Sequence, residues 1–461
     1  MRPPLLALAL LVAAGCGSSS STPPTWSPSP PATSELAPLR GERYVRGIIH
    51  AHSVYSHDAC DGNPWPDGPN LECWGQIRAA MCAAGEDWFM LTDHNSSLSS
   101  EDDFTKLLLH DAAAGDELVL KAGAPIANRV ACGDGRTVLL MAGHEDSIMP
   151  IGMEGHIAGD AQARSDFYGR RDAEAVGRYR DELGALVLQN HTEERTVEDL
   201  AALGLDGVEV FNAHAALLPG ARKDFLHVDP SGALDGVLPF FDFHEDTWKT
   251  SPEPDLSLLG FLEDFAVYNA TWDALLAQGR MLGVLGTDVH QNTYPFILKD
   301  GERGDSYRRM MRWYSNWVLL APGELTPDAL KAAMRQGRMA GVFEVLGTPA
   351  GLDFHAETAG AIAEVGDEVA LGAGPKLVAV APTVLGLSAA QAQPEVALSL
   401  KCNGAEVATG TDRLEYTPTA AGFCRLDVTI VPHHLTPYLG ATPEPFVKTY
   451  PWVKVNPIYV K

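Results

Sequence analysis

Histidines and carboxylates cluster at five places in this chain, and imidazole with carboxylate oxygen is the donor set that holds Zn, Mn or Fe. The first cluster is the run Arg46-Gly-Ile-Ile-His50-Ala-His52-Ser-Val-Tyr-Ser-His57-Asp58. Residues two apart on a strand point to the same side, so His50 and His52 can reach one ion. With 15 histidines in the chain, roughly half of such sequences would hold an H-x-H by chance. The pair gains weight from four more clusters: Asp93-His94, His144-Glu145-Asp146 with His156 shortly after, Asn190-His191 and Asp288-Val-His290. A lone histidine at a strand end is more often a hydrogen-bonded structural residue. Buried charge recurring five times needs compensation, which a polynuclear metal centre would supply.

The elements that must position these residues alternate. Apolar runs at 45–49, 88–92, 138–142, 185–189, 207–211, 281–285 and 317–321 are separated by helix-like stretches such as 74–84, 172–183, 197–203, 271–279 and 327–336. Strand, helix, strand in that order implies a parallel sheet. About seven such units predict an α/β fold, a closed or distorted β/α barrel over residues 41–345. Residues just past the strand C-termini line the mouth of such folds, so five strands would deliver ligands to one face. Segment 213–269 is either an excursion over that mouth or surface elaboration, and its His214, His227 and His244 are expected as surface residues. From 346 to 461, short alternating runs between Gly/Pro/Asn turns predict a small antiparallel β-sandwich.

The beginning of the chain reads as a leader. Met1-Arg2, an apolar stretch from Leu5 to Ala14 and Ala14-Gly15-Cys16 resemble a lipoprotein cleavage box, with the alternative of an ordinary secretory signal. Segment 1–16 is thus expected to be a signal peptide ending in a lipidated Cys16. The Ser/Pro/Thr-rich segment 17–40 reads as a disordered tether. The expectation is an exported protein, lipid-anchored in the bacterial envelope. Six cysteines remain, and an oxidising compartment favours disulfides. Cys402–Cys424 is the first expected pair and Cys60–Cys73 the next. None shows C-x-x-C spacing. The net charge of −26 argues against a general nucleic-acid binder.

The order His-x-His, Asp-His, Glu, His, Asn-His and Asp-x-His resembles the PHP (polymerase and histidinol phosphatase) superfamily of metal-dependent phosphoesterases. The resemblance spans about 44 to 341, with Gly207-Val-Glu-Val-Phe-Asn212 and Trp272 also similar to the family pattern. Pro451-Trp-Val-Lys-Val-Asn-Pro-Ile-Tyr459 resembles the closing strand of the exported carbaryl-hydrolase-like branch. The resemblance implies a distorted seven-stranded β/α barrel with two or three divalent ions. By position, His50, His52, Glu145 and Asp288 would hold the first. Glu145 would bridge to a second, completed by His156 and His191. Asp58, His94 and His290 would hold a third, with His57 able to replace Asp58. Asp93 would orient His94 or a neighbouring ligand. His144 has three roles open: contact with substrate, proton donation, or hydrogen bonding behind the ligands.

The chemistry implied is hydrolysis by a metal-bridging hydroxide, with Glu145 central, on a small-molecule substrate that is most readily a phosphoester. A carboxylic ester, amide or carbamate is the rival substrate, and a non-catalytic binding lipoprotein the rival class. No Gly-x-Ser-x-Gly elbow surrounds Ser53 or Ser56, which argues against a serine hydrolase.

Overall fold

Seven strands carry the fold, and their pairing follows from apolar runs bounded by polar turns. In the computed structural model, which describes residues 25–65, 68–242 and 244–461, they are β1 (Arg43–Ala51), β2 (Trp88–Met90), β3 (Thr137–Met141), β4 (Met149–Ile151), β5 (Leu186–Gln189), β6 (Gly207–Asn212) and β7 (Leu282–Val289). β1 pairs in parallel with β2 and with β7, and β2 continues in parallel to β3. On the other side β7 pairs with β6 and β6 with β5, again in parallel, while β4 is antiparallel to β5. An isolated bridge between Ala142 and Met153, just past β3 and β4, joins the two ends of this path.

Alternate residues of these strands build an inner core. Val45 and Ile49, Trp88 and Met90, Leu139 and Met141, Leu186 and Leu188, and Leu282 and Val284 share one buried cluster, as the period of two requires. Gly47 is forced by this packing, because a Cβ there would lie 2.0 Å from the Trp88 ring. The opposite faces (Ile48, Phe89, Leu140, Val187, Val208, Val210) join the larger cluster beneath the helices. Those helices start where side chains cap them. Asn70 accepts from Cys73 N ahead of Leu71–Ala83, Asp172 from Ala175 N ahead of Ala173–Leu183, and Thr326 from Ala329 N ahead of Pro327–Gln336.

The sheet does not stop at these seven strands. β8 (Ser315–Leu320) lies antiparallel to β1, and β9 (Met339–Val342) antiparallel to β8. The closing strand Tyr450–Val460 adds to β9, followed by Gly422–Val431, Glu395–Cys402 and Ala405–Gly410. The expected boundary at 346 is therefore crossed by continuous strand pairing. A separate antiparallel sheet (Ala361–Glu364, Asp353–Thr358, Lys376–Val380, Arg413–Tyr416) shares the large core through Phe354, Leu377 and Leu414.

The expected leader 1–16, with Cys16, lies outside the described residues. The tether expected over 17–40 is too long: from residue 25 on, the chain runs along the body. Trp26 Nε1 donates to Asp255 at 2.8 Å and its ring meets Tyr438 at 5.3 Å. Arg308 and Arg46 donate to the carbonyls of Pro28 and Pro31, and the Thr33 hydroxyl donates to Asp87. A Pro-rich stretch leaves its carbonyls free for outside donors, which composition alone did not reveal. All six remaining cysteines are paired: Cys60–Cys73, Cys82–Cys132 and Cys402–Cys424. Cys82–Cys132 was not among the expected pairs.

Candidate metal centre

Eight side chains converge at the C-terminal ends of the parallel strands. His50, Glu145, His191 and Asp288 form one group whose ligand atoms all lie within 4.8 Å of one another, and His52, Asp58, His94 and His290 form a second. The groups abut. Glu145 Oε2 is 3.0 Å from His50 Nε2, 3.2 Å from His52 Nε2 and 3.7 Å from His94 Nδ1. Asp288 Oδ1 is 3.2 Å from His50 Nε2, 3.5 Å from His52 Nε2 and 3.3 Å from His290 Nδ1. Asp58 Oδ2 lies 3.5 Å from His94 Nε2 and 3.3 Å from His290 Nε2.

These spacings can be tested against a metal. Four donors about 2.05 Å from a tetrahedral zinc stand about 3.3 Å apart. The distances from His50 and His52 to Glu145 and Asp288 fall around that value. His50 Nε2, His52 Nε2, His290 Nε2 and Asp288 Oδ1 are buried and make no well-directed hydrogen bond among the described residues. Buried polar atoms are otherwise almost always satisfied. Four that converge on one another fit cations.

The backbone is bent to achieve this. His50, His191 and Asp288 have φ of 71°, 45° and 54°, left-handed conformations that cost L-residues about 1–2 kcal/mol each. At His50 the turn breaks the pleat of β1. Sequence spacing assigned both histidines to one ion; His52 reaches both carboxylates beside His50 and also stacks on His290 at 3.7 Å, so it stands between the two groups.

Residues behind the ligands hold their rings. His50 Nδ1 meets Glu209 Oε1 at 2.5 Å, and Glu209 is fully buried on β6. Gly286 makes that possible, since a Cβ there would overlap Glu209 Oε1 at 1.8 Å. Glu209 Oε2 accepts from His191 N and from Asn212 Nδ2. Ser56 Oγ contacts His52 Nδ1 at 3.0 Å and accepts from His94 N. Asn190 Nδ2 donates to Glu145 Oε1 at 2.6 Å. Asp93 accepts from both the backbone N and the Oγ of Ser53, so it fixes the loop after His52 rather than His94. Burial pushes its carboxyl up to about 6 although both Ser53 bonds oppose the shift.

The carboxylates dominate the electrostatics. Burial alone would push His50 and His191 down, yet the surrounding carboxylates hold both well above the ordinary imidazole range. His94 is held at about 9 in the same way, against burial, chiefly by Asp58 and Glu145. Burial raises Glu145 and Asp288, but the surrounding histidines hold both well below the usual carboxylate range. A cation entering here competes with protons.

Two sequence-predicted residues lie outside both groups. His156, expected as a ligand, points its Nδ1 at the Tyr168 hydroxyl at 2.8 Å and packs edge-on against Phe104. His144 precedes Glu145 on a two-residue strand, so its side chain takes the opposite face. Its Nε2 meets the Tyr179 hydroxyl at 2.6 Å. Burial drives it down to about 3. Its hydrogen bond goes to Tyr179 and to no residue of either group.

Sequence reasoning also passed over three residues. Glu209 carried a signal, a carboxylate amid the apolar run Val208–Phe211. Ser56 carried none beyond its neighbourhood. His214, expected at the surface, is exposed but lies 3.2 Å from Asp288 Oδ2, so the start of segment 213–269 sits at the mouth. His57 is also exposed, its ring 5.0 Å from that of His94.

No protein-family model and no curated protein matches the chain. Among solved structures it is similar to a two-domain protein containing a predicted PHP-like metal-dependent phosphoesterase from Bacteroides vulgatus. The identity is 14%, over 91% of this chain and 97% of that one, with a TM-score of 0.36. A likeness of this size establishes neither fold nor activity.

Proposed function

We propose that this protein is a metal-dependent hydrolase of the PHP type acting on a phosphoester. The observation that carries the reading is the contact of Glu145 Oε2 with imidazoles of both ligand groups, the arrangement a shared carboxylate needs. One ion would be held by His50, Glu145, His191 and Asp288 and another by His52, Asp58, His94 and His290, with Glu145 common to both. When bound, divalent ions supply a water of lowered pKa and a positive field for the oxygens of an ester. The residues of the chain do the positioning. Glu209 and Ser56 fix which imidazole nitrogen faces inward, Asn190 holds Glu145, and His214 and His57 stand at the rim where substrate would enter. The strand path closed by Ala142 and Met153 supports the distorted seven-stranded barrel. The carbaryl-hydrolase-like branch has only the closing-strand motif behind it.

The test is phosphate release from aryl and alkyl phosphates after chelation and reloading with Zn, Mn or Fe. Activity should vanish with chelator and return with one of these ions, and Glu145→Ala should abolish it while the far-ultraviolet dichroism stays unchanged. Normal turnover by that variant would sink the shared-carboxylate reading. A second reading, cleavage of a carboxylic ester or carbamate, has one feature in its favour. Among the described residues no lysine or arginine bonds to either group, so nothing positively charged in the chain itself marks a phosphate. Paired aryl ester and aryl phosphate substrates separate the two.

Export belongs to the same proposal. Three disulfides fit an oxidising compartment, and Cys16 is the expected lipidation site. Cys16→Ala should move the protein from the membrane fraction to the soluble fraction of the envelope. Retention in the membrane would overturn the lipid anchor.

A further inference from the structure

Beside the ligand groups lies a small cavity of about 70 Å³ whose polar lining runs from His214, Asp288 and His290 to Gln291, Asn292 and Asp305. Its apolar wall comes from three places. Leu217 and Leu218 enter from the short helix and turn that follow His214, Met310 and Trp313 from the helix Tyr307–Trp313, and Phe261 from behind. Phe261 and Trp313 are fully buried, whereas Leu218 is 41% exposed, so the cavity has a rigid floor and a side open toward the mouth. A chain of carbons leading away from the ion site would exchange water for this wall.

We infer that the cavity is the specificity pocket of the hydrolase, taking a short alkyl group of three to four carbons on a phosphoester whose phosphate lies at Asp288 and His290. The inference rests on the metallohydrolase reading above. Size decides the substituent. A cavity of about 150 Å³ lined by Leu, Ile and Phe accepts benzene, and this one, at about 70 Å³, has about half that volume, room for a chain of three to four carbons and not for a longer one. Position decides the orientation, since the apolar wall begins where the ligand carboxylate ends. The pocket is shared between segment 213–269 and residues 288–313, which also explains why sequence patterns could not read it: its apolar residues are scattered between loops.

The experiment uses the full chain loaded with Zn or Mn and titrated with methyl-, n-butyl- and n-octylphosphonate by calorimetry. Three added methylenes at about 0.8 kcal/mol each give up to about sixtyfold. With one wall open to solvent, butylphosphonate should bind at least about tenfold tighter than the methyl compound, with no further gain from butyl to octyl. Met310→Trp, which fills the pocket away from any proposed ligand, should bring butyl affinity down to the methyl value and leave methyl binding unchanged. Equal affinity across the series in the native chain overturns the pocket and leaves the hydrolase reading standing. Absence of binding at every chain length, with ions shown to be bound, overturns the phosphoester reading and the pocket with it.

Discussion

Glu209 touches neither the mouth nor the inner ligand atoms, yet the site depends on it. By meeting His50 Nδ1 it leaves Nε2 bare to face Glu145 and Asp288, and by accepting His191 N it holds a left-handed turn in place. Glu209→Gln should therefore weaken ion affinity by about tenfold to a hundredfold, read by calorimetric titration, with the fold intact by circular dichroism. Affinity unchanged in that variant would make Glu209 a filler. Ion binding should also weaken as pH falls, because His50, His191 and His94 are held above their ordinary range and keep their protons longer. At this scale most of the site was legible in the sequence: His50, His52, Asp58, His94, Glu145, His191, Asp288 and His290 all follow apolar strands and all converge. Where His156 points was not legible, because its partner Tyr168 lies on the helix Ala161–Tyr168 and no local spacing reveals that contact.

The elements around the site hold together through buried charge as much as through apolar packing. Asp116 accepts from Arg78 on the helix Leu71–Ala83, from Asn128 and from the backbone of Asp111 and Ala131. Asp116→Ala strands the Arg78 guanidinium in a buried place and should cost about 3–5 kcal/mol, measured as a shift of the urea midpoint. A loss under about 1 kcal/mol would show that the arginine escapes to water. Acid should act on a different element. His434, on the short helix His433–Tyr438, is driven by burial down to about 4, although its bond to the Leu346 carbonyl opposes this. The unfolded chain takes up that proton near pH 6.5 and the folded one only near 4. His434 therefore favours unfolding progressively as pH falls between those values, by about 1.4 kcal/mol per pH unit. His434→Gln should flatten the stability profile over that window. Helices were read as stretches between the apolar runs, whereas the hairpin of Glu117–Lys121 with Ala124–Ala131 was not read, since Lys121, Ala122 and Gly123 blur its alternation.

The whole molecule is less divisible than its texture suggests. A change of pattern near residue 341 invites a cut there, and the change is real: short strands replace the alternation of strand and helix. Pairing in the folded chain ignores it, because Tyr450–Val460 completes the edge of β9. Asn456 also sends its amide to the backbone N and O of Gly283 on β7. A fragment ending at residue 345 would leave that edge bare and those backbone groups unsatisfied. It should aggregate or remain expanded by size-exclusion chromatography, whereas the full chain elutes as a compact species. A soluble, ion-binding fragment would refute this coupling. Sequence patterning is local and could not reveal it, since the two partners lie more than a hundred residues apart.

The clasp at Trp26 fixes a length. For a chain lipidated at Cys16, the distance from anchor to body is set by the residues between that cysteine and the indole held by Asp255 and Tyr438, not by those up to residue 40. Ten peptide steps reach at most about 35 Å, against roughly 80 Å for a leash running to residue 40. The body would ride close to the headgroups, with the face carrying Asp255, Arg308 and Tyr438 turned toward them. Releasing Trp26 by substitution to alanine would pay out more chain, seen as weaker energy transfer between a bilayer dye and a fluorophore on the body.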